Sequence, residues 1–343
     1  MDREDETKRV AVACQGGGSH TAFTAGVLKT ILKYKKERYE IAALSGTSGG
    51  AICALLAWYG LLVNDEDRAA KLLDSFWEDI SADSLWDTSV NNLTVGINQL
   101  QGDVVLPQAS PYFYPTLWQD RLRRTLEKHF PFEMLEELVK PSSPTLLVSA
   151  VDVLSGQFKV FRSHRFRDGR KTVNRRDDGI SVDAILASAA LPTLVRAVHV
   201  GTGVYWDGLF SQNPPIKDFI EGIPDVGEKP DEIWVVQINP ERRSEEPTSM
   251  VEILDRRNEL AGNLSLRQEI FFVETINKLI KKNRLAGNKY KLVKVRPPIE
   301  VGREEIGGQP LDYASKLNRD PSFLEAMMAY GENQAKDFLE GLP

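Results

Sequence analysis

Residues 41–62 read IAALSGTSGGAICALLAWYGLL. A short apolar run ends in a glycine-rich turn, and a longer apolar run begins at once. The first run has the length of a strand and the second that of a helix, so the stretch predicts strand, tight turn, helix. Ser48 stands at the centre of Gly46-Thr47-Ser48-Gly49-Gly50, which fits G-x-S-x-G in the setting that a nucleophile elbow requires. In such an elbow the serine backbone is strained, and the flanking glycines let strand and helix approach without a Cβ clash. Upstream, RVAVAC (9–14), the glycines of QGGGS and an expected helix over 19–35 repeat the same order. Two neighbouring βα units predict a largely parallel sheet.

Further along, DEDRAAKLLDSFWEDI and PTLWQDRLRRTLEKHF carry apolar residues at three- and four-residue spacing, so the segment 65–139 reads as mostly helical. The stretch NNLTVGINQLQGDVVLPQASPYFYP (91–115) interrupts it as a loop-like insertion. PTLLVSAVDV (144–153) and QFKVFRS (157–163) predict a hairpin turning at Ser155 and Gly156. A short helix is expected in VDAILASAAL, short strands in VHVGTGVYWDG, and further strands at 231–239 and 290–297. Residues 248–283 read as one long amphipathic helix or two, serving as core packing, a lid or a dimer contact. A final helix closes the chain. No internal repeat or linker divides it, so 241–343 reads as an extension packed on a main domain over 8–240, which carries the helical insertion at 65–139.

The chain has 343 residues, 42% hydrophobic and 27% charged, within the range of ordinary globular proteins. Its formal charge of −6 argues against nucleic-acid binding, which needs concentrated positive charge. The opening MDREDETKRV is charged where a secretory signal would be apolar, and AICALLAWYGLLV (51–63) is too short to cross a bilayer core of about 30 Å. Cys14 and Cys53 provide no disulfide framework, so the expected compartment is the cytoplasm.

A nucleophilic serine needs a base and donors for the oxyanion. Gly16, Gly17 and Gly18, at another strand end, and Gly49, at the start of the elbow helix, offer backbone N–H groups unscreened by side chains. A dinucleotide turn would need glycine at 21, where Thr21 stands. No histidine follows position 199, which disfavours a Ser-Asp-His order. His129 falls on an amphipathic helix, His164 in the basic loop SHRFRDGRK where a solvated role is expected, and His199 remains the reserve base. A carboxylate is the other choice. Asp207, in YWDGL at a strand end, is placed to take the serine proton directly if burial raises its basicity.

Taken together, QGGGSH, GTSGG, LASAALPTL and WDGLFSQNPP resemble the patatin-like phospholipase family over about residues 8–240, in the family's motif order. The resemblance implies a three-layer α/β/α sandwich around a mainly parallel sheet. It also implies a Ser-Asp dyad of Ser48 as nucleophile and Asp207 as general base, with oxyanion amides from Gly16 to Gly18 and a structural Pro192. The implied activity is lipid ester hydrolysis through an acyl-enzyme, with a lipid or acyl-ester substrate and neither metal nor organic cofactor. Two departures stand out. His20 and Thr21 replace the family's basic residue and glycine, which points to His20 as an oxyanion-loop or head-group contact that makes the site pH-sensitive, and Leu209 replaces a small residue. These departures also support an alternative, a lipid-binding or scaffold protein without activity. Peripheral membrane contact is suggested by the aromatics of SPYFYPTLW (110–118) and the basic stretch 278–296.

Overall fold

A computed structural model of the chain describes residues 7–34, 39–82, 110–113, 115–167, 170–192, 194–285, 289–302 and 305–342. The insertion expected over 91–115 lies outside the described residues except for 110–113 and Pro115.

The two βα units form as the sequence predicts. Strand β1 (Lys8–Cys14) leads through a short 3-10 turn (Gly18–Thr21) into α1 (Ala22–Lys33). Strand β2 (Tyr39–Gly46) leads through the elbow into α2 (Gly49–Val63). Helix α3 (Glu66–Ile80) starts at Asp65, whose side chain caps the Arg68 amide. After α4 (Leu117–His129) and the single turn α5 (Leu135–Leu138) come β3 (Thr145–Asp152) and β4 (Phe158–Arg162), the expected hairpin. A small hairpin, β5 (His164–Arg167) with β6 (Arg170–Val173), precedes α6 (Val182–Ser188). Strands β7 (Val198–Val200) and β8 (Gly203–Asp207) pair with each other, and β9 (Glu232–Gln237) follows.

The main sheet runs β10 (Lys294–Val295), β9, β1, β2, β3, β8, β7, with β11 (Ile299–Glu300) on β9 and β4 on β3. Its β2, β1 and β9 core is parallel, and antiparallel pairs gather around β3 and β8. Both faces are covered. Along β1, Val10, Val12 and Cys14 point into a core shared with α1, α2 and the last helix, while Ala11 and Ala13 point into a second core with Leu266, Val273 and Ile276. That is why the strand reads as an unbroken apolar run, and it makes the architecture a three-layer α/β/α sandwich.

Residues 250–281 form one helix, α7 (Met250–Lys281), opened by a reciprocal capping box between Ser249 and Glu252. The strand expected at 290–297 shrinks to β10 (Lys294–Val295), because Pro297 and Pro298 have no N–H to continue the ladder. The chain rejoins the same edge as β11 (Ile299–Glu300). A small hairpin, β12 (Glu305–Ile306) with β13 (Gln309–Pro310), leads to α8 (Pro321–Glu340), capped by Asp320 with proline in its first turn. Helix α8 packs closely on α1: a Cβ on Gly26 would lie 2.0 Å from the Met328 carbonyl oxygen, and one on Gly331 would lie 2.1 Å from that of Phe23. Among the described residues no helix is long and apolar enough to cross a membrane.

Candidate active site

The pairing of β3 explains how two residues far apart in sequence meet. Strand β4 occupies one edge of β3 over Leu147 to Val151. Strands β2 and β8 therefore share the other edge, β2 ending at Gly46 opposite Val148 and β8 ending at Asp207 opposite Ala150. The two run in opposite directions and converge with only Ser149 between their registers. The junction is fastened by Thr47 Oγ1, 2.6 Å from Ser149 Oγ, and both hydroxyls reach the Gln212 carbonyl oxygen, at 2.8 and 2.6 Å. Gly208 must be glycine here, since a Cβ would fall 2.3 Å from Ser149 Oγ.

Ser48 sits where β2 becomes α2 with φ 55° and ψ −130°, a conformation that costs a non-glycine residue on the order of 1–3 kcal/mol. Close packing holds it there. A Cβ on Gly46 would come within 2.6 Å of Ala51 Cα, and one on Gly50 within 2.5 Å of the Cys14 carbonyl oxygen. The Ser48 amide donates to Ser188 Oγ at 3.0 Å, at the end of α6. Its side chain comes near enough to the Asp207 carboxylate to favour the ionised form of that group.

Asp207 is 2% exposed. Burial pushes its pKa up to about 7, against the opposing pull of the Leu209 amide, which donates to Oδ1 at 2.8 Å, and of Ser48. Its own amide donates to the Ala190 carbonyl at 3.0 Å, so the segment ASAAL backs both residues. An unfolded aspartate loses its proton near pH 3.9. The folded chain therefore holds an extra proton between about pH 4 and 7, and the stability tied to this group falls as pH rises through that window. Asp207→Asn should melt above the wild type at pH 8, by on the order of 1–3 kcal/mol, and the gap should narrow below about pH 7 and close near about pH 4. A gap independent of pH would contradict the burial argument.

The glycine loop differs in one respect from the sequence expectation. The Gly16 amide is not available to an oxyanion, because it donates to Asn213 Oδ1 at 2.7 Å. Among the described residues the amides of Gly17, Gly18 and Gly49 have no protein acceptor. Gly18 adopts φ 57°, where a Cβ would lie 2.2 Å from the Lys316 carbonyl oxygen, and a Cβ on Gly49 would meet Thr21 Oγ1 at 2.1 Å.

Of its two expected places, His20 takes the one at the oxyanion loop, turned inward. It is 2% exposed and lies beneath the loop, with Nε2 2.8 Å from Ser315 Oγ and its ring against Phe323. Burial, with the Lys316 cation nearby, holds its pKa well below the usual histidine range, so it stays neutral near pH 7 and cannot supply a pH response there. It joins the oxyanion loop to the C-terminal segment. Arginine at this position would bury a second cation beside Lys316, so His20→Arg should lower stability by roughly 3 kcal/mol or more; unchanged thermal unfolding would refute this placement.

The other histidines also separate from the site. His129 is buried with Nε2 2.7 Å from Asp79 Oδ2, tying α4 to α3. His164, expected in solvent, is 1% exposed between Ser163 Oγ and the Lys140 carbonyl, and burial lowers its pKa to about 4. His199 is exposed on β7, and no described hydrogen bond joins it to Ser48 or Asp207. The sequence offers no sign of the roles of Ser149 and Ser188, and it marks Asn213 only as a shaper of the loop beyond Asp207, not as the acceptor of the Gly16 amide. Ser188 lay inside the quoted LASAALPTL and Asn213 inside WDGLFSQNPP, but neither polar group carries a signal apart from its position. Of the aromatic segment, Tyr112 and Phe113 are exposed, as is Leu117. Among the described residues no cluster of three His, Cys, Asp or Glu side chains is arranged to hold a metal ion.

Fold and site together define a class: α/β proteins with a serine on a strand-to-helix elbow, facing an aspartate that arrives on an opposed strand. The family model described as Patatin-like phospholipase matches residues 12–220, well over half of the chain, and the protein belongs to that family. Among solved structures, it is similar to VipD from Legionella pneumophila at 13% identity, covering 96% of this chain and 67% of VipD with a TM-score of 0.40. It is also similar to the type III effector ExoU at 14% identity, covering 96% of this chain and 52% of ExoU with a TM-score of 0.35. In a complex of ExoU with SpcU from Pseudomonas aeruginosa, the likeness is 16% identity over 82% of this chain and 54% of that one, with a TM-score of 0.32. The chain thus spans about two thirds of VipD and about half of ExoU. A search of curated proteins gave no match.

Proposed function

We propose that the protein is a serine acyl hydrolase that cleaves carboxylic ester bonds of lipids, in the manner of a phospholipase A, through a Ser48–Asp207 dyad. The observation that carries this reading is the convergence, on one edge of β3, of the strained elbow serine and a buried carboxylate whose pKa is raised to about 7. A carboxylate of that basicity is half ionised near neutral pH and far better matched to proton transfer than an ordinary aspartate.

Asp207 takes the proton of Ser48 as Oγ bonds to the ester carbonyl carbon. The carbonyl oxygen becomes an oxyanion held by the amides of Gly17, Gly18 and Gly49, at the positive end of α2. As the intermediate collapses, the C–O bond to the alcohol breaks and Asp207 returns the proton to the departing oxygen, leaving an acyl ester on Ser48. Water then attacks that ester, giving its proton to Asp207. Collapse releases the fatty acid, and the proton passes back to Ser48. The reading includes a reducing, cytoplasmic setting, which the two unpaired buried cysteines suit.

The test is incubation with phospholipid vesicles and mass spectrometry of the products. Wild type should release fatty acid and lysophospholipid in equal amounts, and Ser48→Ala neither. Equal product from both proteins would end the proposal.

A further inference from the structure

Helix α7 is inside out over its first half, before Leu266, Val273 and Ile276 turn its inner face apolar. Its buried positions include Asp255, Glu259, Asn263 and Glu269, whereas its outer row reads Met250, Ile253, Arg257, Leu260, Leu264, Arg267, Phe271, spaced alternately three and four residues apart. The apolar members of this row are exposed, Leu264 by 62% and Phe271 by 64%.

The inner polar face fixes the rotation of the helix. Glu259 and Asp255 bind Arg243. Asn263 donates to the Asn239 and Pro240 carbonyls and accepts from Gln15 at 2.9 Å. Glu269 accepts from the Ile216 amide at 2.8 Å and from Gln212 at 3.0 Å. Turning the apolar row inward would strip Arg243, Gln15, Gln212 and the Ile216 amide of these partners, so the row faces outward by construction.

Its occupant must supply apolar surface and negative charge together. A second copy of the chain fits less well: parallel pairing of the row sets Arg257 on Arg257, antiparallel pairing about position 262 sets Arg257 on Arg267, and only a shifted antiparallel register, with Arg257 opposite Glu274, escapes the clash. Arg267 has an exposed partner in Glu241 at 2.9 Å, a pair that surface solvation makes weak. An anionic lipid surface meets both demands, since apolar side chains enter the acyl boundary while arginine heads extend to the phosphates. The helix also passes the site, on its buried side. Gly262, between Leu260 and Leu264, lies against Leu209, two residues beyond Asp207, and the neighbouring Phe210 is 56% exposed.

We infer that the outer face of α7 is the surface on which the protein docks to anionic lipid, bringing the Ser48 site to aggregated substrate. This inference rests on the proposed lipid hydrolysis only for its purpose, and the two are tested separately. The probe is flotation of the full chain, in a Ser48→Ala background, with phosphatidylcholine vesicles with and without about a third phosphatidylserine. Docking by α7 predicts that Leu260→Glu with Leu264→Glu weakens binding to the anionic vesicles roughly tenfold or more. Arg257→Gln with Arg267→Gln should weaken it by roughly fivefold per arginine and leave binding to phosphatidylcholine alone unchanged. In the Ser48 background both double variants should hydrolyse soluble p-nitrophenyl butyrate at the wild-type rate, which shows that they are folded. Vesicle binding retained by both variants overturns the inference, as does a wild-type dimer in light scattering that the Leu260/Leu264 variant dissolves. Ester turnover without vesicle binding overturns docking and leaves the hydrolase reading intact. Vesicle binding of the predicted pattern without ester turnover does the reverse.

Discussion

Ser48→Ala should lower hydrolysis of p-nitrophenyl butyrate by roughly 10⁴-fold or more, leaving only what binding and the oxyanion amides contribute. The fold should survive, because alanine occupies the positive-φ position about as readily as serine and the glycine packing around it is unchanged. One secondary effect follows from the nearness of the two groups. The Ser48 hydroxyl helps the ionised form of Asp207, so its removal should move the Asp207 pKa further upward. Steady-state kinetics and thermal unfolding of the same preparation check both parts. Activity above about one per cent of wild type would move the nucleophile elsewhere.

Asp207→Asn should reduce kcat by roughly 10³- to 10⁴-fold, since asparagine can still accept the Leu209 amide but cannot take a proton. The sign of the pH dependence follows from burial. Asp207 is a base only when ionised, and with a pKa of about 7 it is mostly protonated in mild acid. In the wild type kcat/KM should climb about tenfold per pH unit below 7 and level off above it, whereas the residual activity of Asp207→Asn should show no such rise. The same substitution stabilises the fold at pH 8 by the linkage described above. A rate loss accompanied by a stability gain separates a catalytic role from mere damage. A loss of both would assign Asp207 to structure alone.

The elbow was legible because its signal is local: a short strand, a serine among glycines, and a helix apolar all round. The two βα units, the β3–β4 hairpin and β9 were legible for the same reason. Asp207 was reached otherwise, by the lack of any histidine beyond 199 and by resemblance. What brings it to Ser48 is the sharing of one edge of β3 by β2 and β8, a pairing between distant segments that no periodicity encodes. The engagement of Gly16 by Asn213 was hidden because a glycine amide looks free in sequence whether or not a side chain 197 positions away accepts from it. His20 was misread for a related reason. Its neighbours Ser315 and Phe323 come from the far end of the chain, and they turn a polar loop residue into a buried neutral one. In α7 the helical period was visible but its direction was not. Apolar spacing normally marks the inner face, and here Arg243, Gln15 and the 212–217 loop hold the polar side inward instead.

The coupling of Ser48 to Asp207 is most directly measured as the rate of covalent labelling by a fluorophosphonate across pH 5 to 9, with the modified peptide identified by mass spectrometry. In the wild type the label should fall on Ser48, and its rate should rise through about pH 7 to a plateau; Asp207→Asn should react at least about 10²-fold more slowly, at a rate indifferent to that transition. Labelling at another residue, or equal rates in the two proteins, would contradict the account.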